Sequence, residues 1–255
     1  MQELVEFAAH LAEQSGHVIM RYFGTGVQVL EKPDQSPVTV ADREAEALMR
    51  RLIEARYPGH RVLGEEGGES GQPGSDFQWV LDPIDGTRPF VHGVPLFGTL
   101  IGLLERGQPV LGAIHLPVSK ELMIGAKGRA TTLNGRPVRV RNTERLSEAT
   151  LVYTSTQVLW QHGHGAGFER LQERVALARG WGDCYGHFMV AAGRADIMID
   201  PEMKLWDVAA LKPCVDGAGG RLTDKFGKDT GVGQSAVSTN GRLHQQVLDI
   251  LHGRA

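Results

Sequence analysis

The sequence predicts an α+β chain folded as two subdomains. Three observations carry that expectation. Helix-period apolar spacing occupies the N-terminal stretch. Short apolar runs separated by hairpin signals follow it. Beyond them, strand-like and helical runs alternate in a different rhythm. A chain of 255 residues suits one large domain or two small ones sharing an interface. A soft boundary falls near 142–148. It separates an N-terminal α+β subdomain (1–145) from a C-terminal α/β subdomain (146–255).

Leu4, Phe7, Ala8, Leu11 and Val18 recur at helical spacing, and Gly24 and Gly26 end that helix. A second helix spans about 41–56, with Ala45, Leu48, Leu52 and Ile53 on one face and Tyr57-Pro58-Gly59 as its stop. Strands are expected at 61–64 and 78–81, with a mobile loop over 67–74 between them. Runs 96–105 and 108–115 form strands around Arg106-Gly107, and 121–126 forms another. Asn134-Gly135 marks a hairpin between 130–133 and 137–140. Past the boundary, 150–153 and 195–199 read as strands. Stretches 168–178, 185–192, 207–217 and 243–251 read as helices.

The net charge is −3 and no long basic run exists, which excludes a nucleic-acid surface. An acidic protein that binds an anion needs a local cation, and a metal would serve. Cys184 and Cys214 are too few for a disulfide scaffold and read as packing residues. No apolar stretch reaches the roughly 18 residues of a membrane span. Glu3, Glu6 and Glu13 interrupt the apolar N-terminus as in a helix, not a secretory signal. A cytoplasmic protein is expected.

The chemistry concentrates in Trp79-Val80-Leu81-Asp82-Pro83-Ile84-Asp85-Gly86-Thr87. An apolar strand delivers two aspartates into a turn stiffened by Pro83. Two carboxylates aimed at one spot repel unless a cation lies between them. Oxygen donors favour Mg²⁺, Mn²⁺ or Ca²⁺ over zinc. Gly86 lets the backbone approach an oxyanion, so the amides of Gly86 and Thr87 could donate to a phosphate at a helix start. Glu65 in Gly64-Glu65-Glu66-Gly67 would converge on the pair if strands 61–64 and 78–81 are neighbours. Asp207 in Trp206-Asp207-Val208-Ala209-Ala210 and Asp42 in Ser36-Pro37-Val38-Thr39-Val40-Ala41-Asp42 each open a helix. Taken singly, these acids also suit an Asx-turn, a solvated loop and two helix caps. His162-Gly163-His164 reads as a surface loop. No nucleophile elbow or Walker-type loop is present.

Together, Glu65-Glu66, Asp82-Pro83-Ile84-Asp85-Gly86-Thr87, Trp206-Asp207 and the 36–42 segment resemble the inositol monophosphatase family across nearly the whole chain. The resemblance implies a layered αβαβα sandwich, lithium-sensitive Mg²⁺-dependent hydrolysis of a small phosphate monoester, and a homodimer. It implies two or three Mg²⁺ ions, with Mn²⁺ as a substitute. Glu65, Asp82, Asp85, Asp207 and the Ile84 carbonyl would be ligands, and Asp42 would help hold a third, weaker ion. Thr87 and Glu65 would orient the attacking water, and the Gly86 and Thr87 amides would bind phosphate. In-line attack by water follows, without a phosphoenzyme.

Two stretches, 85–101 and Trp181-Gly182-Asp183-Cys184-Tyr185-Gly186-His187, are similar to the histidinol-phosphate phosphatase branch of that family, which serves histidine biosynthesis. That points to L-histidinol phosphate as substrate. The alternatives are a broad inositol-1-phosphate phosphatase, a 3′-phosphoadenosine nucleotide phosphatase, or an inert metal-binding regulator. An ammonium and an imidazole call for carboxylates beyond the phosphate. Asp183 and Asp200 fall where the family contacts the organic part. Arg88 is open between a contact to phosphate or a substrate carboxylate and a pairing with a nearby acid. Gly67, where many members carry Ser, and Arg88-Pro89 depart from the pattern.

Overall fold

The computed structural model describes residues 1–26, 28–31 and 37–254; Ser36 of the sequence motif lies outside the described residues. Helix α1 (Gln2–Ile19) is followed by a short antiparallel pair, β1 (Leu30–Glu31) and β2 (Pro37–Val38). Helix α2 (Val40–Arg56) starts on a Thr39 cap. Then come β3 (Arg61–Gly64), β4 (Gly68–Gly71), β5 (Phe77–Asp85), the short helix α3 (Thr87–Val91), β6 (Gly98–Glu105), β7 (Gln108–Leu116), β8 (Glu121–Ala126), β9 (Thr132–Leu133) and β10 (Arg136–Pro137). β3 to β10 form one eight-stranded sheet in the order β10-β9-β8-β7-β6-β5-β3-β4. Among the described residues, β3 and β5 are its one parallel pair; every other pairing in it is antiparallel.

The remaining elements are β11 (Thr150–Tyr153), α4 (Thr156–Gln161), α5 (Gly165–Gln172), β12 (Leu177–Arg179), α6 (Asp183–Ala191), β13 (Ile197–Asp200), α7 (Leu205–Val208), α8 (Leu211–Gly217), β14 (Arg221–Thr223), β15 (Ala236–Thr239) and α9 (His244–Leu251). A five-stranded sheet orders its strands β12-β11-β13-β15-β14.

Period-2 alternation assigns the faces of the large sheet. Trp79, Leu81, Ile101, Leu103, Leu111 and Ala113 meet Ala8 and Leu11 of α1 and Met49 and Ile53 of α2. Leu100, Ile114 and Met123 on the opposite face meet Phe188 of α6 and Leu211 and Cys214 of α8. Beyond those helices lies the second sheet, with Val152 and Met198 against Val190. Its outer face carries Phe168 of α5 and Val247 and Ile250 of α9 on Leu151, Ile197 and Val237. The layers are therefore α, β, α, β, α, the predicted sandwich.

The inner contact depends on a row of glycines. Gly102, Gly112 and Gly125 are cross-strand partners on β6, β7 and β8. A Cβ on Gly112 would lie 1.9 Å from the Ala210 carbonyl oxygen, and one on Gly125 would lie 2.3 Å from that of Pro213. The backbone of 209–214 thus rests directly on the sheet, as only glycine permits.

Several sequence expectations need correction. Residues 67–74 are not simply a loop: Gly68–Gly71 is an exposed edge strand hydrogen-bonded to β3, invisible in an apolar pattern because no side chain of it is buried. The helix expected over 168–178 stops at Gln172, and Leu177–Arg179 pairs parallel with β11. The helix expected over 207–217 is two. Restarting at Leu211 puts Pro213 in a first turn, where its missing N–H costs no helical bond. α1 ends at Ile19, ahead of the expected stop at Gly24 and Gly26. His164 is buried at the start of α5, not in a surface loop. β14, β15 and α4 were not expected. Both cysteines are free and buried. No helix among the described residues is long and apolar enough to cross a membrane.

Candidate active site

Parallel pairing brings the first acids together. Gly64 is opposite Leu81, and the Glu65 amide donates to the Leu81 carbonyl at 3.1 Å. Glu65 and Asp82 therefore leave neighbouring strand ends side by side, and their carboxyl groups are in hydrogen-bonding contact. Between Asp82, paired with Leu100, and Asp85, paired with Gly98, β5 carries a bulge. A bulge re-aims side chains at a strand end. Here it keeps both aspartates on one side. The Thr99 hydroxyl donates to the Pro83 carbonyl at 2.9 Å and the Thr87 hydroxyl to the Ile84 carbonyl at 3.0 Å, which fixes the turn. Gly86 follows at φ 88°, where a Cβ would stand 3.0 Å from the Leu96 oxygen.

Asp207 arrives from the other side on α7. The Lys204 amide donates to its Oδ2 at 2.6 Å, so Asp207 is the third residue of α7 reaching back to the N-cap Lys204, and not the N-cap itself. Carboxylate oxygens of Asp82, Asp85 and Asp207 lie within 4.8 Å of one another. Asp82 is buried, and its Oδ1 has no hydrogen-bond partner. Removal from water pushes all three carboxyls up, Asp207 to about 7. The neighbouring charges of Glu65, Asp85 and Asp207 push Asp82 further, those of Glu65 and Asp183 push Asp207, and those of Asp183 and Asp207 push Asp85. Hard oxygen donors, mutual repulsion and an orphaned buried oxygen fit a divalent cation, and the cluster could bind one.

Asp42 is 1% exposed and accepts from the Thr39 amide at 2.8 Å and the Thr39 hydroxyl at 2.7 Å. Burial raises it to about 6, with Glu66 and Glu65 adding to the effect, so it both completes the capping box begun by Thr39 and feels the charge of the Glu65-Glu66 turn. That turn is held by Glu46, a residue the sequence reading missed. Buried Glu46 accepts from the amides of Glu66 and Gly67 at 2.8 Å each and from Arg50 Nε at 2.7 Å. A glutamate beside Ala45 and Met49 on a buried helix face was the available signal.

The other flank is built by α6. Asp183 opens it at φ 53°, an unusual value for a side chain other than glycine. Its amide donates to the Thr154 hydroxyl at 2.9 Å, and that hydroxyl is 2.9 Å from Asp200 Oδ2. The next amide, that of Cys184, donates to Asp85. Burial lifts Asp183 to about 6 against the opposing charge of Arg88, and lifts Asp200 well above the carboxylate range, with the charge of Asp183 adding to it. Arg88 itself is exposed on α3. Thr154 and Thr99 carried no sequence signal.

A layered αβαβα sandwich carrying a three-aspartate centre defines a protein with a candidate site for a divalent cation. The chain matches the family model "Inositol monophosphatase family" over residues 1–254. It is 40% identical to the histidinol-phosphatase of Chlorobaculum parvum over 246 residues, 96% of this chain and 95% of that one. It is 39% identical to the histidinol-phosphatase of Mycobacterium tuberculosis, covering 96% of each. An inositol monophosphatase structure from Zymomonas mobilis superposes with a TM-score of 0.87 at 32% identity, covering 98% of both chains. The chain belongs to the inositol monophosphatase family, and it is a phosphatase, a phosphoric monoester hydrolase.

Proposed function

We propose that the protein hydrolyses L-histidinol phosphate to L-histidinol and phosphate with Mg²⁺. The observation that carries this reading is the pair Asp183 and Asp200, joined through one hydroxyl beside the aspartate centre. They offer carboxyl oxygens where a substrate's ammonium or imidazole would lie, and a cation there would favour their ionised form. The length and level of identity to the histidinol-phosphatases support the same substrate.

In this reading Asp82, Asp85, Asp207, Glu65 and the Ile84 carbonyl hold two ions, and Asp42 assists a third. Mn²⁺ could replace Mg²⁺. Bound Mg²⁺ supplies positive charge against the phosphate and acidity to the attacking water. Glu65 and Thr87 orient that water. The amides of Gly86 and Thr87 hold the phosphate, because the turn at Gly86 leaves the first amides of α3 without helical acceptors. Asp183 and Asp200 hold the organic part, with Arg88 at the rim. The two subdomains divide near residue 145 and meet at the site. A homodimer in the cytoplasm completes the proposal.

A phosphate-release screen tests it with histidinol phosphate, inositol 1-phosphate, fructose 1,6-bisphosphate and 3′-phosphoadenosine 5′-phosphate. The expected outcome is far faster release from histidinol phosphate. Equal or reversed rates with inositol 1-phosphate would favour a broad inositol monophosphatase, a reading that the 33% identity to an inositol-1-monophosphatase of Synechocystis also supports.

A further inference from the structure

Thr154 stands at the end of β11 and touches both flanking carboxylates through a single atom. A hydroxyl carries one proton and two lone pairs. The Asp183 amide donates into a lone pair, so the Thr154 proton is directed to Asp200 Oδ2. The contact is close along the backbone too: a Cβ on Gly182 would lie 2.2 Å from Thr154 Cα. Asp183 therefore sits on Thr154 in a left-handed conformation at φ 53°. Such a conformation persists in a non-glycine residue only where its surroundings over-determine it. The surroundings here are two acceptors from two different sheets, the Thr154 hydroxyl under the Asp183 amide and the Asp85 carboxylate under the Cys184 amide. Neither Asp183 nor Asp200 forms an ion pair with a cationic side chain among the described residues. Their carboxyl oxygens are left to face a ligand.

We propose that Thr154 is a positioning residue for substrate recognition, its hydroxyl fixing Asp183 and Asp200 as one carboxylate pair for the cationic part of the phosphate ester. This rests on the reading of Asp183 and Asp200 as substrate contacts. Valine matches threonine in shape but offers neither the acceptor nor the proton, whereas serine offers both.

Steady-state kinetics of Thr154→Val and Thr154→Ser on histidinol phosphate, inositol 1-phosphate and p-nitrophenyl phosphate test the proposal, with thermal unfolding as the check on folding. Thr154→Val should raise KM for the preferred ester by about tenfold, with a much smaller change in kcat. The aryl ester, which has no group to reach the pair, should not show that KM rise. Thr154→Ser should stay near wild type. Equal losses on all three esters, a serine variant as impaired as the valine one, or an unchanged KM in the valine variant would each overturn it. The wild-type preference decides the substrate separately. If inositol 1-phosphate is preferred, histidinol phosphate falls as the substrate, and Thr154 is judged on the inositol ester, whose hydroxyls would donate to the same pair.

Discussion

The main-chain amide of Cys184, in the first turn of α6, donates to the carboxylate of Asp85 at the end of β5. Asp85 thus serves two neighbours. It belongs to the centre with Asp82 and Asp207, and it caps the helix that carries Asp183. Asp85→Asn keeps an oxygen for the Cys184 amide and removes one negative charge. Its kcat should fall by about 10²–10³-fold or more. Its metal-free melting temperature should hold or rise, because a repulsive charge is gone, and the stabilisation by Mg²⁺ should shrink. Retained Mg²⁺-dependent turnover would rule out the proposed centre.

Stability should depend on pH and metal together. The carboxyls of Asp82, Asp85 and Asp207 are raised in the folded protein, Asp207 to about 7. A raised folded pKa means the folded state holds protons that the unfolded state has already released. That stabilisation is complete below about pH 4 and is lost as pH rises through about 7. In chelator, the melting temperature should therefore decline between pH 5 and 8 on account of this centre. Mg²⁺ at about 100 times its Kd should restore about 3 kcal/mol, and its thermal shift should be larger at pH 8 than at pH 5. Equal shifts at the two pH values would contradict the charge argument.

His244 should act in the opposite direction. Its ring is fully buried, between the hydroxyls of Thr223 at 2.9 Å and Thr239 at 3.0 Å. Burial lowers it to about 4. Its contribution is present above about pH 6.5 and is lost as pH falls toward 4, where only the unfolded chain is protonated. Urea unfolding should show a loss approaching about 3 kcal/mol over that window, and His244→Gln should flatten this part of the profile. A wild-type slope unaltered in the variant would place the acid sensitivity elsewhere.

Glu46 supports the Glu65 turn from below. Glu46→Gln puts an N–H₂ against one of two amides that need an acceptor. The expected cost is about 1–3 kcal/mol of stability, with kcat reduced through displacement of Glu65. Chemical denaturation and phosphate release measure the two effects, and an unchanged kcat would remove Glu46 from the account of the site.

The glycine row gives the sharpest packing test. Gly112→Ala places a methyl 1.9 Å from a backbone oxygen that has no rotamer to escape into. The helix pair α7–α8 must lift. Stability should fall by about 3 kcal/mol or more, and metal affinity should fall with it, because Asp207 moves away from Asp82. Wild-type metal affinity in a folded variant would show that Asp207 is held some other way.

Much of the site was legible in local pattern. Asp82, Asp85 and Gly86 share one motif, and Glu65 needed only the parallel pairing of β3 with β5. Asp42 and Asp207 are not the N-caps themselves but sit at the third position of their helices and accept from the amides of the N-cap residues Thr39 and Lys204, and Asp207 also belongs to the cluster with Asp82 and Asp85. Thr154 and Glu46 escaped because their roles lie in hydrogen bonds to backbone amides 29 and 20 residues away. No periodicity records such bonds.

By itself, the sequence determined which faces are apolar, which turns are tight and which acids could meet a cation, since those follow from local spacing and backbone chemistry. Tertiary structure alone decided that Asp207 reaches Asp82 and Asp85. That approach depends on backbone resting against backbone along Gly102, Gly112 and Gly125. Contacts between main chains separated by a hundred residues leave no periodic trace in the sequence, and here they set the distances between the charges.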